Sequence, residues 1–170
     1  GSVDPKEDNM LKISSDGKKA ALDLRLIDST LAETKNSKAR AVSEQIYKNW
    51  LEGKEQKSTQ IVFCDLSTPN ADRFNIYDEI KKILIEMGIP ENEIDYIHNS
   101  KTDIQKTRTF QKVRDGEIRV FLGSTSKMGA GTNCQNKIVA LHHLDCPWRP
   151  ADLTQRNRQT ELDKETKMML

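Results

Sequence analysis

IDYIHNSKTDIQKTRTFQKVRDGEIRVFLG, residues 94–123, decides the fold. Its first five residues form a short apolar run that suits a strand. Thr102 and Gln105 then stand at capping-box spacing, a hydroxyl three residues ahead of an amide, which predicts a helix running to about Arg114. Asp115 and Gly116 turn the chain, and IRVFLG at 118–123 reads as a strand buried on both faces. A strand, a helix and a second strand joined by short connectors imply a crossover unit with parallel pairing. The same signature recurs outward in both directions. QIVFCD at 60–65 and KIVALHHL at 137–144 are further buried-type strands. Between the first of these and residue 94, Ile76, Tyr77, Ile80, Ile83, Leu84 and Met87 recur at helical spacing and stop at Gly88, with Pro90 just beyond. The predicted class is therefore α/β, a mostly parallel sheet flanked by helices on both faces.

Upstream of the strands, Val42, Ile46 and Trp50 recur every four residues between Ser37 and Leu51, with Tyr47 and Leu51 widening the apolar stripe of an amphipathic helix. Ser14, Ser15 and Asp16 offer a cap for a short helix in KKAALDLRLI, residues 18–27, and residues before that read as polar and irregular. The expected organisation is a tag remnant (Gly1, Ser2) with a flexible arm over 1–12, an N-terminal helical docking segment over 13–59, and the α/β lobe over 60–170. Partner domains are expected to lie outside the chain.

A chain of 170 residues can bury roughly two thirds of its unfolded surface, enough for one core. Lys and Arg number 27 against 26 acidic residues, so the net charge of +1 gives no bulk attraction for a polyanion, and any nucleic-acid contact must be local. Cys64, Cys134 and Cys146 are odd in number and lack paired metal-ligand spacing, which points to thiols in a reducing compartment. No stretch reaches about 18 apolar residues, and neither a membrane nor an export signal is predicted.

Ligands of open parallel sheets bind at the carboxyl ends of the strands. The residues following each strand are Asp65, Ser67 and Thr68; His98, Asn99 and Ser100; Gly123, Ser124, Thr125, Ser126 and Lys127; and Asp145, Trp148 and Arg149. Hydroxyls, glycines and a lysine at one edge suit a phosphate-bearing ligand, although ordinary turn chemistry uses the same residues. A phosphate-cradling G-x-x-x-x-G-K-[ST] loop is absent: Gly17-Lys18 and Gly53-Lys54 are followed by Lys19 and Glu55, not by a hydroxyl. Gly129 and Gly131 form a G-x-G without the third glycine of a dinucleotide-binding turn. LDCPWRP at 144–150 has an outward likeness to the D-P-P-[WY] loop of amino-group methyltransferases, but Cys146 replaces the first proline and DLSTPN stands where the cofactor loop would be. His142, His143 and Cys146 do not make a zinc site, since adjacent strand residues point to opposite faces, and no metal is expected. ADLTQRNRQT at 151–160 carries Gln155, Arg156 and Arg158 near the start of a predicted helix, either an exposed basic surface or a source of an arginine for a phosphoryl group.

Taken in order, these segments resemble motifs four to six of the C-terminal, RecA-like (P-loop NTPase type) lobe of superfamily-two helicases and Swi/Snf-type ATPases. QIVFCDLST resembles motif four, GSTSKMGAGTNCQ motif five, and HHLDCPWRPADLTQR the approach to motif six. The likeness is nearest to the large helicase-and-methylase polypeptides of phages, plasmids and conjugative elements, and covers residues 10 to about 158. The resemblance implies that Ser67, Ser124, Thr125 and Lys127 contact nucleic-acid phosphates, that Gly131, Asn133 and Gln155 face ATP, and that Arg156 and Arg158 address its gamma-phosphate. It further implies ATP and Mg2+ as cofactors of the full-length protein, with none tightly held by this chain alone. The partners it implies are an N-terminal RecA-like lobe of the same polypeptide and DNA in preference to RNA, in the cytoplasm of a bacterial or phage-infected cell. Motif six of the family has a Gly before its first Arg and a second Arg three residues on; Gln155-Arg156-Asn157-Arg158-Gln159-Thr160 has neither feature. A non-catalytic nucleic-acid-binding or protein-docking module of the same fold is the alternative.

Overall fold

A computed structural model of the chain describes residues 5–128 and 137–145. In chain order the elements are α1 (Pro5–Leu22), α2 (Lys38–Glu52), β1 (Thr59–Phe63), α3 (Ile76–Met87), β2 (Ile94–Tyr96), α4 (Asp103–Asp115), β3 (Val120–Gly123), the single turn α5 (Thr125–Met128) and β4 (Ile138–His143). The four described strands form one sheet in the order β2-β3-β1-β4, parallel at every described pairing. All five residues of β1 and all four of β3 are buried, polar Thr59 and Gln60 of β1 included, as in strands covered on both faces.

The period of two along the strands sorts the core into two layers. Val62, Cys64, Val120 and Leu122 face α2 and α3, where they meet Ile46, Ile76, Ile80, Ile83 and Leu84. Ile61, Phe63 and Phe121 face the other way, against Phe110 and Val113 of α4 and Met128 of α5. Each such aliphatic side chain contributes roughly 1.5–3 kcal/mol by leaving water. The helix boundaries follow local chemistry. Ser37 caps α2, Asn75 caps α3 through the Asp78 N–H, and Thr102 with Gln105 forms the complete capping box of α4. Gly116 ends α4 at φ 78°, and a Cβ there would lie 2.7 Å from the Lys57 carbonyl oxygen, so the position needs glycine for both conformation and space.

Two expectations change. The first helix begins at Pro5, not after the Ser14–Asp16 cap, and ends at Leu22, not Ile27. Proline is favourable at a first helical position, and no later proline interrupts the run. The early stop comes from Asp23, whose carboxylate accepts the Arg25 N–H at 2.9 Å and starts a separate 3-10 turn, Leu24–Leu26. Arg25 then docks this turn on α3, reaching Glu79 at 3.1 Å and lying 4.3 Å above the Phe74 ring. The second change is at residues 94–98, where the strand stops at Tyr96. Its partner β3 pairs only through Leu122, and residues 97–99 turn into a 3-10 helix held by the Asn99 amide on Asp95 at 2.7 Å.

A polar knot crosses the α2 face of the sheet. Gln60, 1% exposed, gives its amide N–H to the Ile46 carbonyl at 2.9 Å, which fixes the amide orientation. Its oxygen therefore accepts from Asn49 at 3.0 Å and from Nε2 of His142 at 2.8 Å. Burial, helped by the neighbouring His143, pushes His142 down to about 4 from the ordinary 6.5. Below pH 6.5 the unfolded chain takes up a proton that the folded chain refuses, so stability is lost as pH falls from about 6.5 to about 4. The loss should be on the order of 2–3 kcal/mol. Unfolding free energies of wild type and His142→Gln at about pH 7 and pH 4.5 check this, since the variant should lack that part of the acid sensitivity.

Candidate nucleic-acid and nucleotide edge of the sheet

The carboxyl ends of β1, β3 and β4 are laced together by two aspartates. Asp145, two residues past β4 and 8% exposed, accepts the backbone N–H groups of Asp65 at 2.8 Å and Leu66 at 2.7 Å on one oxygen. The Cys64 thiol donates to the same oxygen at 3.7 Å; burial, with Asp145 and Asp65 nearby, pushes this thiol up and keeps it protonated. Asp65 in turn accepts the Thr125 N–H and the Thr125 hydroxyl, each at 2.7 Å. Bonds to a carboxylate are shorter and stronger than neutral ones, so the turn leaving β1 and the start of α5 are held at fixed positions.

The other expected contact residues sit around this brace. Ser67 is 6% exposed, and its oxygen accepts the Ile76 N–H at 2.9 Å, tying the loop after β1 to the first turn of α3. That bond uses a lone pair and leaves the hydroxyl proton to be donated. Ser124 is 6% exposed; its hydroxyl lies 3.5 Å from that of Ser126 and accepts the Lys127 N–H at 3.4 Å. Lys127 itself is exposed. Tyr77 donates to the Cys64 carbonyl at 2.6 Å and sets its ring edge-on to His98, 5.2 Å away, so the ends of β1 and β2 are also linked. His142 and His143 diverge: the first meets Gln60, while the second stacks on Phe63 at 5.3 Å on the opposite face. Among the described residues no group of three or more His, Cys, Asp or Glu side chains is gathered for a metal, and no helix is long and apolar enough to cross a membrane.

Gly131, Asn133, Gln155, Arg156 and Arg158 lie outside the described residues. Of the rest, Ser67, Ser124, Thr125 and Lys127 come to the same sheet edge, on loops joined through Asp65. Sequence reasoning noted Asp65 and Asp145 as residues following strands but did not see them as braces. The available signal was a carboxylate directly after each apolar run, QIVFC and KIVALHHL.

Comparison with curated proteins finds no match. The sequence does match the family described as the helicase conserved C-terminal domain, over residues 37–160. That span takes in α2, the whole sheet and the braced edge. With a parallel four-stranded sheet of the RecA-like kind, the chain belongs to this family and is the C-terminal lobe of a helicase-like protein.

Proposed function

We propose that the chain is the second motor lobe of an ATP-driven DNA helicase or translocase, of the kind found in large helicase-and-methylase polypeptides of phages and conjugative elements. Ser67, Ser124 and Lys127 grip phosphates of the strand, with sequence-independent contacts, while Thr125, whose N–H and hydroxyl both donate to Asp65, positions the turn that carries them. Gly131, Asn133, Gln155, Arg156 and Arg158 face ATP held between this lobe and an N-terminal RecA-like lobe of the same polypeptide. The observation that carries the reading is the relay from Asp145 through Asp65 to Thr125, which fixes a hydroxyl-bearing turn next to an exposed lysine. The Lys127 ammonium and the Ser67 hydroxyl proton on this braced edge are donors of the type that fits phosphate oxygens. The groups at this edge do not make a Mg2+ site: Asp65 is bonded to the Thr125 N–H and hydroxyl, one oxygen of Asp145 to the N–H groups of Asp65 and Leu66, and among the described residues no three His, Cys, Asp or Glu side chains are gathered for a metal. The metal ligands and the phosphate-cradling loop are therefore assigned to the N-terminal lobe.

Two measurements test this. Affinity of the chain for single-stranded DNA should fall with salt, and Lys127→Ala should reduce the log–log slope by about 0.7, the value for one lost phosphate contact. A slope near zero for the wild type would remove these residues from the role. The chain alone should not turn over ATP, and hydrolysis on the order of 1 per second or faster would overturn the half-motor assignment. The departure of residues 155–160 from motif six favours a second reading, a docking module without motor function. An N-terminal lobe bearing a phosphate-cradling loop separates the two: DNA-stimulated ATPase on joining supports the motor, and none supports the module.

A further inference from the structure

On the reading that this edge binds a nucleic-acid backbone, we infer that His98 is an additional phosphate contact, an uncharged donor through Nε2 working beside the charged Lys101 and Lys127. His98 lies in the 3-10 turn that follows β2, and this turn packs directly on α5, which carries Lys127. Gly123 makes the packing possible: a Cβ there would lie 2.7 Å from Cε of Met128 in α5 and 3.0 Å from Cγ2 of Ile97 in the turn. His98 is thus built into the same surface as Thr125 and Lys127 from a different strand.

The imidazole's protonation follows from its surroundings. Nδ1 is buried and has no hydrogen-bond partner among the described residues. An orphaned buried N–H is costlier than an orphaned lone pair, so the proton belongs on Nε2. A second proton would put an N–H on Nδ1 with no acceptor. It would also add a charge near Lys127 of α5 and Lys101 of the following loop, with the Tyr77 ring of α3 against the imidazole. Burial first, then Lys127 and Lys101, hold the group below its ordinary pKa. Two lysines and a neutral N–H on one surface make a mixed site for a phosphodiester, in which the lysines supply charge and His98 supplies direction.

The distinction is measurable, because charged contacts release counterions and a neutral donor does not. The experiment is anisotropy of a labelled single-stranded oligodeoxynucleotide titrated with the 170-residue chain across a range of salt. His98→Phe, which keeps a ring against Tyr77 but no donor, should weaken binding by about threefold to tenfold, with the salt slope unchanged. His98→Gln, whose amide nitrogen reaches close to the Nε2 position, should recover most of the affinity. Lys101→Ala and Lys127→Ala should each lower the slope by about 0.7. Equal binding by the Phe and Gln variants would overturn the inference, as would a slope that falls in His98→Phe as it does in the lysine variants. If Lys127→Ala lowers the slope while His98→Phe is silent, only the role of His98 fails. If no variant alters affinity or slope, the phosphate-binding reading fails with it.

Discussion

Arg119→Ala is expected to lower the unfolding free energy by about 3–5 kcal/mol, the range for removing one partner from a buried charged cluster. Arg119 is 3% exposed and stands just before β3, at the edge of the sheet opposite the candidate site. Its guanidinium donates to the Ser58 carbonyl at 2.9 Å and the Trp50 carbonyl at 2.8 Å. It also lies 5.2 Å above the Trp50 ring, with Glu93 at 3.9 Å. Trp50 is in the last turn of α2, where carbonyls lack helical partners and a cation is favourable. One side chain thus ties the end of α2, the connector into β1 and the start of β3. Alanine would leave two carbonyls without donors and a void beside the indole. Urea unfolding followed by tryptophan fluorescence reads the effect. Arg119→Lys should recover only part of it, since a single ammonium nitrogen cannot take the two positions that Nε and Nη2 of the guanidinium hold on the two carbonyls. A loss below about 1 kcal/mol in Arg119→Ala would show that the cluster is not an anchor.

The second large effect is expected at the opposite edge. Asp145→Ala removes the acceptor of two backbone N–H groups and a thiol. Hydrogen bonds to charged groups are each worth roughly 1.5–3 kcal/mol, and part is recovered when water reaches the opened loop. A net loss of about 2–4 kcal/mol follows from that balance. Asp145→Asn should cost less, because its one oxygen can still accept. Unlike Arg119→Ala, this change should also weaken DNA binding in protein that remains folded, since freeing the loop after β1 loosens the position of Asp65 and, through it, Thr125. Thermal unfolding and oligonucleotide binding on the same samples separate the outcomes. Reduced stability with unchanged DNA affinity would mean that the relay supports the fold and not the binding surface.

The two edges differ in how far the sequence reveals them. Helices α3 and α4 were legible because their information is local: an apolar periodic run from Ile76 to Met87, Thr102 three residues ahead of Gln105, and glycine at both carboxyl ends. The central strands were legible because a run such as QIVF can be satisfied only by burial on both faces. Arg119 was not legible, since it interrupts an apolar run as any edge residue does, and its partners Ser58 and Trp50 lie 61 and 69 residues away. The Asp145 brace spans 80 residues to Asp65, beyond the reach of any spacing argument. Gln60 looked like the polar first residue of a strand, whereas it is buried and bonded to both a helix and a neighbouring strand. The early start of α1 was missed for the opposite reason. The serines and aspartate at 14–16 are good caps in isolation, and here they lie within a longer helix.

The strand order carries a consequence for synthesis on the ribosome. Within this sheet β1 is made before the other described strands, yet it occupies the interior, and both of its neighbours come from much later sequence, β3 beginning at Val120 and β4 at Ile138. A nascent polypeptide that has emerged only as far as α4 therefore displays a strand with the apolar run Ile61-Val62-Phe63 and both hydrogen-bonding edges bare, the kind of segment that chaperones bind and that aggregates when translation stalls. Slow codons between residues 64 and 119 would lengthen that exposure, whereas release of β3 would end it on one side at once.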